Sequence, residues 1–224
     1  MLSIVIPTYN SSVGLKQTVD SLVPPPYARE IVVVDGGSTD DTLAVAQSLD
    51  VRIVKSPKGR GHQLAAGAQA AVGDWLLFLH ADTVLPENWG QEVCSFILAH
   101  GAGQEEAAYF TFALDDEDER AERLEKIVSW RCRLLGLPYG DQGLLISRKL
   151  YEEVGGFREI PLMEDVDIVR RIGKDRLCQL PTRAVTSSVR YRQNGYIKRM
   201  LRNVTCLTLY FLGVSPERIV KLYG

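Results

Sequence analysis

Four consecutive β-branched residues, Ile31-Val32-Val33-Val34, run straight into Asp35-Gly36-Gly37. A run with no polar face fits a strand covered on both sides, the situation of parallel sheets flanked by helices. Three other short apolar runs share the pattern: Leu2 to Ile6, stopped by Pro7, then Val51 to Val54, then Trp75 to Leu79. Between and after them lie helical stretches at Ser11 to Leu22, Asp40 to Leu49, the alanine-rich Gln63 to Val72, and Trp89 to Ala99. This alternation predicts an α/β fold whose mainly parallel sheet carries helices on both faces.

The second half is less regular. Ala108 to Leu114 and Gly143 to Ser147 read as strands, and Arg120 to Leu135, Asp165 to Ile172 and Gly195 to Leu212 as helices. The acidic run Asp115 to Glu119 reads as a solvated loop before a helix N-terminus. No repeat or linker divides the chain, so residues 1–224 are expected to form one domain: a nucleotide-binding half over about 1–100, an acceptor and catalytic half over about 101–192, and C-terminal helices over about 193–224.

Composition narrows the function. A net charge of −2 leaves no broad basic surface for nucleic acid. The four cysteines form no Cys-x-x-Cys pair, so neither a zinc ribbon nor a redox motif is encoded, and buried reduced thiols in a cytoplasmic protein are expected. The first residues show no signal-peptide pattern, and no apolar run reaches the roughly 18–20 residues of a membrane span.

In open parallel sheets, ligands bind beyond the carboxyl ends of the strands. The four strand candidates end on Pro7-Thr8-Tyr9-Asn10, Asp35-Gly36-Gly37-Ser38-Thr39-Asp40, Ser56 to His62 and His80-Ala81-Asp82-Thr83. Asp35 is expected to face a ligand while Ser38 to Asp40 cap the next helix. Asp82 follows an apolar strand, where a divalent cation bridging it to a diphosphate would offset its burial; capping a helix near Pro86 is the competing role. His80 is either a ligand contact or a packed histidine. Gly59-Arg60-Gly61 is not a dinucleotide fingerprint, because Leu64 holds the third glycine's place, but Arg60 on a loop suits a phosphate. Glu164, Asp165 and Asp167 put three acids at a helix start, more than capping needs, and one could serve as a general base.

Together these stretches, with Gly140-Asp141-Gln142-Gly143 and Met163-Glu164-Asp165, resemble glycosyltransferase family 2, inverting enzymes of the glycosyltransferase A fold. The resemblance implies a mixed, mainly parallel sheet with a helical C-terminal segment. It implies that Pro7, Tyr9, Asn10, Asp35, Arg60, His80 and Asp82 surround the nucleotide. Asp82 would hold Mn²⁺ or Mg²⁺, Asp141, Gln142 and Glu164 would line the acceptor pocket, and Asp165 would be the catalytic base. His80 stands where the family's Asp-x-Asp motif has its first acid, and the Gln-x-x-Arg-Trp motif of polymerising members is absent. The implied activity is transfer of a single sugar from a nucleotide diphosphate sugar, a UDP-sugar by family habit, to a hydroxyl acceptor. The competing readings are a sugar-nucleotide pyrophosphorylase, disfavoured because Thr8 to Ser12 lacks that class's basic glycine-rich loop, and a non-catalytic nucleotide-sugar-binding protein. Basic residues ahead of the apolar 204–214 segment raise two further expectations, peripheral membrane contact or packing on the catalytic core or a second subunit.

Overall fold

The computed structural model describes residues 1–22, 29–101 and 105–223. Its elements run β1 (Leu2–Thr8), α1 (Ser12–Ser21), β2 (Arg29–Asp35), α2 (Thr42–Gln47), β3 (Arg52–Lys55), α3 (Arg60–Ala70), β4 (Trp75–Phe78), β5 (Thr83–Val84), α4 (Trp89–His100) and β6 (Ala107–Leu114). There follow α5 (Glu119–Leu135), a 3₁₀ turn (Gly140–Gln142), β7 (Leu144–Ser147), α6 (Arg148–Glu153), α7 (Glu164–Ile172), β8 (Leu177–Thr186), α8 (Val189–Asn194), α9 (Tyr196–Phe211) and α10 (Pro216–Tyr223).

The strands form one sheet in the order β3-β2-β1-β4-β7-β6-β8-β5. β3, β2, β1 and β4 are mutually parallel, so their carboxyl ends share one edge. β7 enters antiparallel between β4 and β6 and makes the sheet mixed. The β-branched run behaves as its composition requires. Ile31 and Val33 join one core with Ile4, Ile6, Leu15 of α1 and Val93 of α4, while Val32 and Val34 join a second core with Val5 and Leu64 of α3. A third cluster seats α5 on β6 through Leu124, Val128 and Phe112.

Three departures from expectation have identifiable reasons. Pro7 lies inside β1, opposite Val34, because β1's pairing with β4 ends at Val5 and the proline nitrogen faces no ladder there. α3 begins at Arg60, three residues early, because Gly61 lets the 158–160 segment close on the helix start; a Cβ there would meet the Arg158 carbonyl at 2.3 Å. β8, the longest strand, was not anticipated. Pro181 interrupts its pattern, and the structure accommodates it as a bulge: Phe110 pairs with Leu180 but Thr111 with Arg183. Thr182, freed from the ladder, donates its N–H to Glu92 of α4 at 2.8 Å.

Candidate active site

Beyond the carboxyl ends of β1 and β2 the chain is tied together by side chains. Gln63 of α3, buried, donates from its amide to the carbonyls of Thr8 (2.6 Å) and Val34 (2.9 Å). Asp35 is itself a turn-former. Its carboxylate accepts the N–H groups of Gly37 and Ser38, each at 3.0 Å, and the Ser38 hydroxyl at 2.5 Å, and it is 2% exposed. The carboxylate expected to be left over for a ligand thus also holds its own turn. Asn10, in the left-handed region at φ 50, accepts from Thr39 and donates its N–H to Ser38, joining the two loops. Asp40 accepts the N–H groups of Ser12 and Thr42, the first residues of α1 and α2, and its pKa is lowered to about 2, through the Thr42 side-chain hydrogen bond first. Tyr9 is the exposed part of this edge, with the Lys58 ammonium 4.0 Å above its ring.

The cavity opens beside this edge, past the end of β4. Arg60, His80, Asp82, Asp141, Glu164 and Asp165 all line it, together with residues of the C-terminal segment, notably Arg190, Arg199 and Asn203. Pro7, Tyr9, Asn10 and Asp35 lie outside it, on the neighbouring strand ends, and Gln142 lies beneath it. Gln142 is spent internally: its amide donates to the Phe110 carbonyl at 3.1 Å and its oxygen accepts from Tyr139 N–H and Arg131. Its expected acceptor role gives way to that of a buried strut.

Asp82 caps no helix. α4 starts at Trp89, and among the described residues nothing donates a hydrogen bond to the Asp82 carboxylate. The α1 start abuts it: a Cβ on Gly14 would meet the Ala81 carbonyl at 2.8 Å. His80 presents a buried Nε2 without a hydrogen bond, and Gly140 must lack a side chain to admit it, since a Cβ would fall 2.7 Å from that nitrogen. Burial, helped by Arg60 and Arg190, holds the His80 pKa well below 6.5, so the ring is neutral and Nε2 can act as a lone-pair donor if the proton sits on Nδ1.

The three acids of α7 divide their tasks. Met163, in the left-handed region at φ 66, turns the chain into the helix. Asp165 Oδ2 accepts the Gly140 N–H at 2.8 Å, which fixes this carboxylate against the 3₁₀ turn at the cavity wall. Glu164 is 1% exposed and stands 3.4 Å from Arg60 without hydrogen-bond geometry; burial pushes its pKa up to about 7. Asp167 is structural, held by Arg158 at 3.0 Å and Arg171 at 2.5 Å. Asp141, across the cavity, is pushed up to about 6 by burial, with Asp165 and Asp82 adding to the effect and Arg131 and Arg60 opposing it. Five buried polar atoms lacking a hydrogen bond face this one space: His80 Nε2, Asp141 Oδ1, Glu164 Oε1, Arg199 Nε and Asn203 Oδ1. Such atoms are rare in a folded chain, and their convergence marks a place built for a polar ligand.

A family model described as "Glycosyl transferase family 2" matches residues 3–153. The chain belongs to that family. A PGL/p-HBAD biosynthesis glycosyltransferase of Mycobacterium bovis is 39% identical over 109 residues, covering 45% of this chain and 43% of its own length. An uncharacterized glycosyltransferase of Rickettsia conorii is 28% identical across 100% of this chain and 40% of its own. The chain thus spans about two fifths of the curated relatives it matches. Among solved structures, a Pyrobaculum calidifontis mannosyltransferase in complex with GDP-Man and Mn²⁺ matches with a TM-score of 0.65 at 18% identity, over 92% of this chain and 60% of that one. Glucosyl-3-phosphoglycerate synthase of Mycobacterium tuberculosis, in complex with Mn²⁺, UDP and its product, matches at 0.60 and 19%, over 96% and 80%. The fold of this family 2 chain is accordingly the glycosyltransferase A fold.

In this family 2 chain, the residues that the sequence places around the cavity come from strand ends, the 140–143 turn and the Glu-Asp pair. Arg190 lines the cavity, whereas Arg192, half a turn along α8, pairs with Asp116 at 2.9 Å, off the cavity. Arg199 and Asn203 gave no sequence signal, because α9 reaches the cavity only through tertiary packing.

Proposed function

We propose that the chain is a metal-dependent, inverting glycosyltransferase that moves one sugar from a nucleotide diphosphate sugar, a UDP-sugar in the favoured case, to a hydroxyl of an acceptor. The observation that carries this reading is the shared cavity. The Asp82 carboxylate, which accepts no hydrogen bond among the described residues, and the fixed Asp165 carboxylate line the same space as the five residues whose polar atoms lack hydrogen bonds there. Neighbours of the same fold in complex with Mn²⁺ and UDP or GDP-Man support the donor class.

Asp82 supplies the hard oxygen donor that Mn²⁺ or Mg²⁺ prefers, and the neutral His80 ring beside it is an acceptable ligand for Mn²⁺. When bound, such an ion neutralises negative charge on a diphosphate. Arg60, Arg190 and Arg199 supply cationic groups from the protein itself. Asp165 takes the acceptor hydroxyl proton as the new bond to the sugar forms and the bond to the nucleoside diphosphate breaks on the opposite side. Its Gly140 N–H contact holds the carboxylate in place for that transfer. Asp141 and Glu164 form the acceptor side. Their raised pKa values let them donate as well as accept hydrogen bonds near neutrality.

The test is a thermal-shift panel of nucleoside diphosphates with and without Mn²⁺. Ligand at 100 times Kd stabilises by about 2.7 kcal/mol, roughly 5–10 °C at this chain length. A shift that needs both nucleotide and metal supports the reading; no shift with any pair overturns it. An Asp165→Asn protein that still shifts but has lost transfer places Asp165 in the chemistry, whereas unchanged transfer removes it.

A further inference from the structure

Helix α9 has two unlike faces. Arg199 and Asn203 line the cavity, and Cys206 is buried in the core below. On the opposite side Ile197, Leu201, Val204 and Phe211 stand 69%, 57%, 54% and 48% exposed. Their spacing puts all four on one stripe of the helix. A stripe of that size is not ordinary surface scatter.

The charge around it is one-sided. α9 contains no acid, and of its three cations Arg199 faces the cavity, Arg202 is half-buried and Lys198 is exposed next to Ile197. Residues 189–224 hold seven lysines and arginines against one acid, while the other 188 residues hold 19 against 27. Arg170 of α7 leans over the Phe211 ring at 4.8 Å, adding a cation to the end of the stripe. No helix among the described residues is long and apolar enough to cross a membrane. An apolar stripe with Lys198 near one end and Arg170 at the other, on a helix too short to span a bilayer, matches an anionic bilayer surface, which offers a hydrocarbon boundary beneath negative headgroups.

We propose that α9 lies on an anionic membrane with its Ile197-to-Phe211 stripe embedded, and that it thereby holds the cavity one helix diameter, about 10 Å, from the bilayer. The acceptor is then an amphiphile whose hydroxyl-bearing head is presented at that surface. This last clause rests on the transferase reading; the docking does not.

The experiment is co-sedimentation of the full chain with phosphatidylcholine vesicles, with and without phosphatidylserine, beside gel filtration. The intact chain should sediment with the anionic vesicles only. Leu201→Gln with Val204→Gln should weaken this about tenfold or more, by removing apolar insertion. Lys198→Glu should weaken it about fivefold or more and make the residual binding less salt-sensitive. None of these side chains lines the cavity, so the nucleotide thermal shift should be unchanged in each variant, which also shows that they fold. Equal sedimentation of all proteins, or no dependence on phosphatidylserine, overturns the proposal. So does a dimer on gel filtration that the glutamine variant converts to monomer, for then the stripe belongs to a second copy. Failure of the nucleotide shift in the intact chain, with vesicle binding intact, would refute the transferase reading alone.

Discussion

Replacing Glu164 by glutamine should stabilise the ligand-free protein above neutral pH and change little in acid. Glu164 is 1% exposed, and burial raises its carboxyl from 4.5 in the unfolded chain to about 7. The sign follows from proton binding. Below the unfolded value both states are protonated and the residue contributes no pH dependence. As pH rises, the unfolded chain releases its proton first, so stability falls until the folded carboxyl also ionises near 7 and then levels off. The loss across that interval is about 3 kcal/mol at 1.36 kcal/mol per unit. Glutamine keeps the shape and has no proton to lose. Arg60, left without its anion at 3.4 Å, is 37% exposed and can turn to water. For a chain of this size the difference is roughly 6–12 °C in Tm. Thermal melts of the two proteins at about pH 5 and about pH 8 measure it. Equal differences at both pH values, or a less stable variant at the higher one, would refute the reasoning. A residue this costly in the resting protein is one that the site, not the fold, retains.

Asp82→Asn should remove the Mn²⁺-dependent part of the nucleotide thermal shift while leaving the metal-free melting temperature within about 2 °C, since no hydrogen bond donated to that carboxylate is lost; a retained metal effect in titration would place the ion elsewhere. Gly140→Ala pushes a methyl to 2.7 Å from His80 Nε2, so it should cost about 1–3 kcal/mol, and chemical denaturation should show most of that returning in the His80→Ala background. Gln63→Leu removes one donor from each of two buried carbonyls, those of Thr8 and Val34, which keep the Gly36 N–H and the Thr8 hydroxyl respectively. It should cost about 1–3 kcal/mol by urea melts for the two lost hydrogen bonds, and a change under about 0.5 kcal/mol would show that water replaces the amide.

What the sequence disclosed and what it hid divide along a physical line. The β-branched run at 31–34 and the acids and glycines after each early strand are local signals, and the parallel half of the sheet follows from them. β8 was hidden because Pro181 breaks its pattern, and only the partner strand β6 and Glu92 of α4 show that a bulge absorbs it. Asp35 and Asp82 look alike in sequence, each an acid after an apolar strand. They differ because Gly37 and Ser38 fold their N–H groups back onto the first, while nothing among the described residues donates to the second. Whether an acid is consumed by its own turn is a matter of backbone path, and residue type does not encode it. Arg199 and Asn203 were invisible for a different reason: they reach the cavity from a helix more than a hundred residues beyond Asp82 in the chain.

The clamp that Gln63 makes between the ends of β1 and β2 bears on selectivity. Those two loops are already held to each other by Asn10, Ser38 and Asp35 before any ligand arrives, so the conformational entropy of ordering them is spent during folding. On the proposed transferase reading, that side of the molecule is a fixed template that responds to different donors nearly alike. Discrimination among sugars then falls to the cavity, where carboxyls poised between protonation states and an arginine-bearing helix leave room to adjust.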